Sequence, residues 1–275
     1  MRDRPLPEIG GKGLFTKELE EALQDGRAHL AVHSLKDLPT EIAPGLTLTA
    51  VPVREDARDV LVSRDGAKFA ELPGGARIGT SSVRRAAQLR SLRPELQVEP
   101  LRGNLETRLR KLRAGPLDAI VIAAAGMHRM GWANQITEYL SETIVCPAVG
   151  QGALAIESRA DDAQTLAALT VLEDQETRLC VTAERALLSR LGGGCQVPIA
   201  AHARRDGSEI QLMAVVIRPD GSGCISAISR SGAAGLQAAE ALGNEVAEDL
   251  LRQGALRILN SAGSPPGSLP APEAP

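Results

Sequence analysis

Short apolar runs alternate with amphipathic ones over the first two-thirds of the chain. Within 14–24 (LFTKELEEALQ), Leu14, Leu19, Ala22 and Leu23 fall at helical spacing and Gly26 closes the run, which predicts a helix. Compact apolar stretches at 29–34, 45–53, 60–62, 77–79, 98–101 and 119–123 predict strands. Segments 82–92, 104–114 and 126–130 predict helices between several of them. Strand–helix–strand units of this length predict a mostly parallel sheet with helices on its faces.

After Gly150-Gln151-Gly152 come a strand at 154–157, a helix over 162–172 and a long helix over 174–191 that ends in Gly192-Gly193-Gly194. The pattern then changes. Segments 198–204, 209–218 and 224–231 predict three antiparallel strands with turns at Asp206-Gly207 and Asp220-Gly221, and a helix over 235–251 closes this α+β unit. The Pro-, Ser- and Ala-rich end, 263–275, predicts a disordered tail.

Composition narrows the function. A chain of 275 residues suits two or three compact units, and a formal net charge of −3 argues against a general nucleic-acid partner. No run approaches the ~18 apolar residues of a membrane span, so no membrane partner is expected. Met1-Arg2-Asp3-Arg4-Pro5 has no apolar stretch behind its charges, so no secretory signal is visible and a cytoplasmic location is expected. The four aromatics, Phe15, Phe69, Trp132 and Tyr139, are too few for base-stacking platforms. Cys146, Cys180, Cys195 and Cys224 form no C-x-x-C pair, so no metal site is expected. Each is first read as a small, buried, reduced thiol.

Three stretches break local rules. Arg84 and Arg85 follow Gly79-Thr80-Ser81-Ser82 where a strand hands over to a helix. Cations in a first helical turn oppose the helix dipole, which often marks a site. Leu101-Arg102-Gly103-Asn104 repeats the handover, with Asn104 as cap, Arg102 aimed outward and Arg108 one turn on. Ligands of open α/β sheets bind at such strand ends. The four arginines either converge on a polyanion or form a solvated basic face, to which Arg90, Arg93, Arg110, Lys111 and Arg113 are assigned. No phosphate loop is present.

The turn His33-Ser34-Leu35-Lys36-Asp37 sets a cation beside an anion at another strand end. In a cleft crowded with arginines such an Asp can steady a cationic intermediate or pass a proton. Third, Cys195 follows three glycines and precedes Gln196-Val197-Pro198. A structural thiol seldom sits at the tip of a glycine loop, which points to a reactive or modified cysteine.

In sequence order, Ile9-Gly10-Gly11-Lys12-Gly13-Leu14-Phe15, His33-Ser34-Leu35-Lys36-Asp37, Arg54-Glu55-Asp56-Ala57-Arg58-Asp59 and Gly79-Thr80-Ser81-Ser82-Val83-Arg84-Arg85 form a series. Leu101-Arg102-Gly103-Asn104, Pro147-Ala148-Val149-Gly150-Gln151-Gly152, Ala183-Glu184-Arg185-Ala186 and Gly193-Gly194-Cys195-Gln196-Val197-Pro198 continue it. Together they resemble the porphobilinogen deaminase (hydroxymethylbilane synthase) family over almost the whole chain. The resemblance implies a monomeric transferase of porphyrin and haem biosynthesis that condenses four porphobilinogen molecules to hydroxymethylbilane. It implies a dipyrromethane cofactor on a thioether to Cys195, with Lys36, Thr80, Ser81, Ser82, Arg84 and Arg85 around it. Asp37 matches the catalytic carboxylate, Arg102 and Arg108 substrate-binding positions, and Lys12 and Phe15 a mobile segment over the cleft.

The implied fold is two periplasmic-binding-protein-like α/β domains, 1–53 with 152–172 and 54–146, and a C-terminal α+β domain at 174–262 built on a three-stranded antiparallel sheet. Two departures stand out. The family opens with a strand, a helix and a second strand, roughly fifty residues, which this sequence lacks, so Met1 is read as an internal methionine. Gln135 stands where many relatives have an Arg toward substrate. A two-lobed anion-binding module, or an inactive family member, is the competing interpretation.

Overall fold

A computed structural model describes residues 16–192, 198–232 and 234–262. Helix α1 (Lys17–Gln24) leads into β1 (Leu30–Ser34), one turn of 3-10 helix (Leu35–Asp37) and β2 (Leu46–Ala50). The chain then crosses into a second sheet with β3 (Asp59–Ser63), β4 (Arg77–Gly79), α2 (Val83–Leu92), β5 (Gln97–Glu99) and α3 (Leu105–Ala114). That unit ends with β6 (Ala119–Ala123), α4 (Ala124–Arg129) and β7 (Glu138–Leu140). The chain returns as β8 (Leu154–Arg159), followed by α5 (Ala163–Leu169) and α6 (Gln175–Arg190). The C-terminal unit is β9 (Ile199–Asp206), β10 (Glu209–Ile217), β11 (Cys224–Ser231), α7 (Leu236–Arg252) and α8 (Ala255–Ala262).

Among the described residues there are three sheets, ordered β1-β8-β2, β5-β4-β6-β3-β7 and β11-β10-β9. The expected α/β plus α+β class is what forms, with the three-stranded antiparallel sheet in place. The expectation of a mostly parallel sheet is corrected. β4 runs parallel to β5 and β6, but β3 is antiparallel to β6 and β7, and β8 to both β1 and β2. Parallel pairing appears where a helix carries the chain back, as α2 and α3 do. Strands β3 and β8 instead enter directly from the neighbouring unit, so nothing reverses their direction.

Burial explains the strand sequences. Val60 and Val62 of β3 join Ile120 and Ile122 of β6 on one face, while Leu61, Ala119 and Val121 fill the other. A strand covered on both faces is apolar throughout, and so DVLVS and AIVIA do not alternate. In the C-terminal unit one face only is covered, where Ile210, Leu212, Ala214 and Val216 meet Leu187 of α6 and Leu242 of α7.

Several local expectations shift. The helix read at 126–130 begins at Ala124, and 162–172 divides into α5 and a 3-10 turn at Thr170–Leu172. β7 and α8 were not legible as separate elements. Cys146 and Cys180 are buried thiols, but Cys224, at the start of β11, is exposed. No helix among the described residues is long and apolar enough to cross a membrane. The tail at 263–275 lies outside the described residues.

Candidate active site

Helices α2 and α3 both start at the carboxyl edge of the five-stranded sheet. Ser82 caps α2, its Oγ accepting from the Arg85 N–H at 3.4 Å, and Asn104 caps α3, its Oδ1 accepting from the Thr107 N–H at 2.9 Å. The arginines that oppose the α2 dipole are not solvated; Arg84 and Arg85 are 5% and 6% exposed. They share one fully buried carboxylate, Asp59 at the start of β3. Arg84 Nη2 donates to Asp59 Oδ2 at 2.7 Å and Arg85 Nε to Oδ1 at 2.9 Å. Gln151 Nε2 donates to the same Oδ1 at 2.8 Å, while its Oε1 accepts from Arg85 Nη2 at 3.1 Å.

Burial pushes the Asp59 pKa up, but the two guanidinium groups outweigh it and bring it down to about 2. Burial lowers the pKa of Arg84, with Asp59 opposing and Arg85 reinforcing the shift. Two cations on one anion leave a surplus positive charge. Among the described residues, Arg84 Nε is buried without a hydrogen-bond partner.

The 3-10 turn after β1 faces this edge. Lys36 and Asp37 line a cleft of about 310 Å³ together with Ser81, Ser82, Arg84, Arg85 and Arg108. Burial, and then Arg85, lower the Lys36 pKa to about 8, with Asp37 and Asp59 pulling the other way. Arg108 Nε donates to the Gly103 carbonyl at 2.8 Å, and burial lowers its pKa too. A cluster whose cations are depressed by burial and by one another is short of negative charge. An anionic ligand relieves it.

Helix α6 holds both parts in place. Arg185 donates through Nη2 to the carbonyls of Pro39 at 2.7 Å and Thr40 at 3.1 Å, and through Nη1 to Leu38 at 3.3 Å. This fixes the segment just after Asp37. The adjacent Glu184, fully buried, accepts from Arg54 Nη1 at 2.6 Å and from the backbone N–H groups of Gly150 at 2.7 Å and Ala203 at 2.8 Å. Burial raises the Glu184 pKa, yet Arg54 and His202 bring it to about 2. The two segments joining the first two sheets touch at Gly152, where φ is +88° and a Cβ would lie 2.3 Å from the Glu55 carbonyl oxygen. Only glycine permits that crossing.

The structure therefore brings together Lys36, Asp37, Ser81, Ser82, Arg84, Arg85 and Arg108. Other candidates fall elsewhere. Thr80 is 4% exposed and sits behind the cleft, its Oγ1 accepting from the Ser82 N–H at 3.3 Å, because the strand edge turns it inward. Arg102 is exposed and does not line the cleft; its carbonyl accepts from Lys111 Nζ at 3.0 Å. Gln135 is also away from it, accepting from Arg113 Nη2 at 2.6 Å. Arg90 and Arg93, assigned to a solvated face, instead donate to backbone carbonyls, Arg93 to Phe69 and Leu72, both at 2.9 Å. Lys12, Phe15 and Cys195 lie outside the described residues.

Sequence reasoning missed the roles of Asp59, Gln151, Glu184 and Arg185. Each was present in a quoted motif, but nothing local says which distant cation or carbonyl it meets. Among the described residues no cluster of His, Cys, Asp and Glu has the makings of a metal site.

Comparison with known proteins matches residues 1–167 to the family model described as porphobilinogen deaminase, dipyromethane cofactor binding domain, and residues 178–252 to that of its C-terminal domain. The chain is 52% identical over 257 residues to the porphobilinogen deaminase of Syntrophotalea carbinolica, covering 94% of this chain and 81% of that one. It is 56% identical over 221 residues to that of Sorangium cellulosum, covering 80% and 74%. Among solved structures, a Salmonella typhimurium periplasmic binding protein with high arginine specificity aligns at 18% identity and a TM-score of 0.35, over 59% of this chain and 72% of that one.

Proposed function

The chain belongs to the porphobilinogen deaminase family, and we propose that the cleft between Asp37, Arg85 and Arg108 is where it works. The family's enzyme is a transferase, hydroxymethylbilane synthase. It condenses four porphobilinogen molecules head to tail, with release of four ammonia molecules, and carries a dipyrromethane cofactor. The observation that carries the assignment is convergence: Lys36, Asp37, Arg84, Arg85 and Arg108, singled out by their chemistry, line one cleft with Ser81 and Ser82, which the family resemblance implies.

The residues present fit the cofactor. Pyrroles bearing acetate and propionate need several cations and hydroxyl donors, which Lys36, Arg84, Arg85, Arg108, Ser81 and Ser82 supply, and Arg84 Nε is a buried donor still to be matched. When bound, the cofactor supplies the pyrrole end to which the first porphobilinogen is joined. Cys195 is the proposed attachment point. Two residues that bracket it in sequence, Leu188 and Ile199, line the cleft.

Asp37 is assigned the chemistry. As the carbon–nitrogen bond of porphobilinogen breaks and ammonia leaves, positive charge spreads into the pyrrole ring, and the Asp37 carboxylate opposes it. Asp37 would then accept the proton released once the new carbon–carbon bond has formed, and pass it to solvent. Lys36 and the arginines hold the carboxylates still meanwhile. The division into 1–53 with 152–172, 54–146 and 174–262, and cytosolic, monomeric action, belong to the same proposal.

Lys36 gives a test. Its pKa of about 8 means that its charge is lost as pH rises through that value, and a bound carboxylate favours the charged form. The affinity of cofactor-free Cys195→Ser protein for a pyrrole carrying acetate and propionate should therefore fall above about pH 8, and adding Lys36→Arg, whose charge does not titrate there, should flatten the fall. An affinity of that protein that stays level between about pH 7 and pH 10 would count against the role.

A further inference from the structure

The turn between β10 and β11 presses on the helix that carries the arginines of the cleft. Gly221 has φ +81°, and a Cβ there would lie 2.8 Å from Ser91 N, 2.9 Å from Arg90 Cβ and 3.0 Å from Ala87 O, all on α2. Two of those atoms are backbone, so no change of rotamer makes room. Arg90 ties the contact: Nη1 donates to the Pro219 carbonyl at 3.0 Å and Nη2 to the Val98 carbonyl at 3.3 Å.

The turn is itself closed. The Gly221 N–H donates to the Arg218 carbonyl at 2.8 Å, and the Arg218 N–H to the Gly223 carbonyl at 2.8 Å. On another face α2 is held by Gln88, which donates through Nε2 to the Cys146 carbonyl at 3.1 Å and accepts through Oε1 from the Cys146 N–H at 2.8 Å. The helix is thus seated between the connecting segment and the C-terminal unit.

We propose that Gly221 and Arg90 are positioning residues: through the β10–β11 turn, the C-terminal unit sets where α2 lies and hence where its first turn, with Ser82 and Arg85, meets the carboxylates of the pyrroles bound in the cleft. A ten-residue helix moves as a rod, so a shift imposed at 87–91 reaches its first turn. The proposal rests on the reading above that the cleft binds those carboxylates.

The control lies in the same sheet. Gly207 also has positive φ, +63°, in the β9–β10 turn, but nothing lies within 4 Å of its would-be Cβ. Gly207→Ala and Gly221→Ala both place a side chain at a left-handed residue, and only Gly221→Ala collides with α2. Gly221→Ala should raise KM for porphobilinogen about tenfold with kcat within about twofold, since the contact holds ground state and transition state alike. Calorimetric affinity for a pyrrole carrying the same acetate and propionate but no aminomethyl group should fall in parallel. Gly207→Ala should leave both at wild-type values.

Partial unfolding alone would lower kcat at unchanged KM, and that result would overturn the proposal. If Gly221→Ala does not fold, Arg90→Met decides by the same KM and affinity measurements. Arg108→Met separates the two claims. A raised KM there, with Gly221→Ala or Arg90→Met at wild-type KM, refutes the positioning role and leaves the cleft standing. An unchanged KM in Arg108→Met refutes both.

Discussion

Asp37→Ala protein should keep its dipyrromethane cofactor yet lose about a thousandfold in kcat. Asp37 ends the 3-10 turn that faces the arginine edge, and among the described residues it is the one carboxylate lining the cleft. The other nearby carboxylate, Asp59, is wholly buried and already spent on Arg84 and Arg85. Opposition to the charge that develops as ammonia departs therefore falls to Asp37. A positioned charge of this kind lowers the barrier by roughly 2.7–4 kcal/mol, which by itself corresponds to a loss of up to about a thousandfold. KM should change far less, because the cations that hold the carboxylates remain. Asp37→Ala protein that turns over at near wild-type rate would remove the residue from the chemistry.

Asp59→Asn should be the most damaging change to stability. It leaves two guanidinium groups buried at 5% and 6% exposure with no anion between them. Removing one partner of a buried charge cluster costs about 3–5 kcal/mol, a large part of the stability of an ordinary domain. The urea midpoint should fall accordingly. Acid denaturation tells the same story from the other side. Asp59 drops from 3.8 to about 2 on folding and Glu184 from 4.5 to about 2. Groups whose pKa is depressed by folding stabilise the protein above their unfolded values, and that contribution disappears as pH falls through the folded ones. Wild-type stability should therefore decline between about pH 4.5 and pH 2, and Asp59→Asn should shallow that limb. An unchanged midpoint and an unchanged acid limb would show that Asp59 is not the counter-charge.

Much of this was legible from local pattern. The cap at Asn104, the helices starting at 82 and 104 and the three C-terminal strands follow from spacing and turn chemistry that each segment carries itself. The arginines at the start of α2 were recognisable as a broken rule, and the break is resolved by Asp59. That partner could not be read off. It lies 25 residues before Arg84 at the head of a strand, and its pairing depends on β3 entering the sheet antiparallel to β6. The direction of β3 is set by a crossing between units, which periodicity does not encode.

The same gap explains Thr80 and Arg102. Both belong to strand-to-helix handovers that present donors, but which side chain faces the cleft depends on a backbone turn of one residue. Arg90 shows the converse: on a helix face it looks solvated, but it donates to the Val98 carbonyl and, across to the distant turn, to that of Pro219. Burial partners drawn from remote segments are the part of a site that sequence conceals.

The central claim, that this cleft builds a tetrapyrrole on a cofactor tethered at Cys195, is tested most directly by intact mass. Purified wild-type protein should carry the mass of two pyrrole units, and Cys195→Ser should carry none. Adding porphobilinogen to the wild-type protein should produce a ladder of heavier species, one pyrrole unit per step, with one ammonia released for each porphobilinogen consumed. A wild-type mass equal to that of the bare chain, with no ladder and no ammonia, would contradict the account.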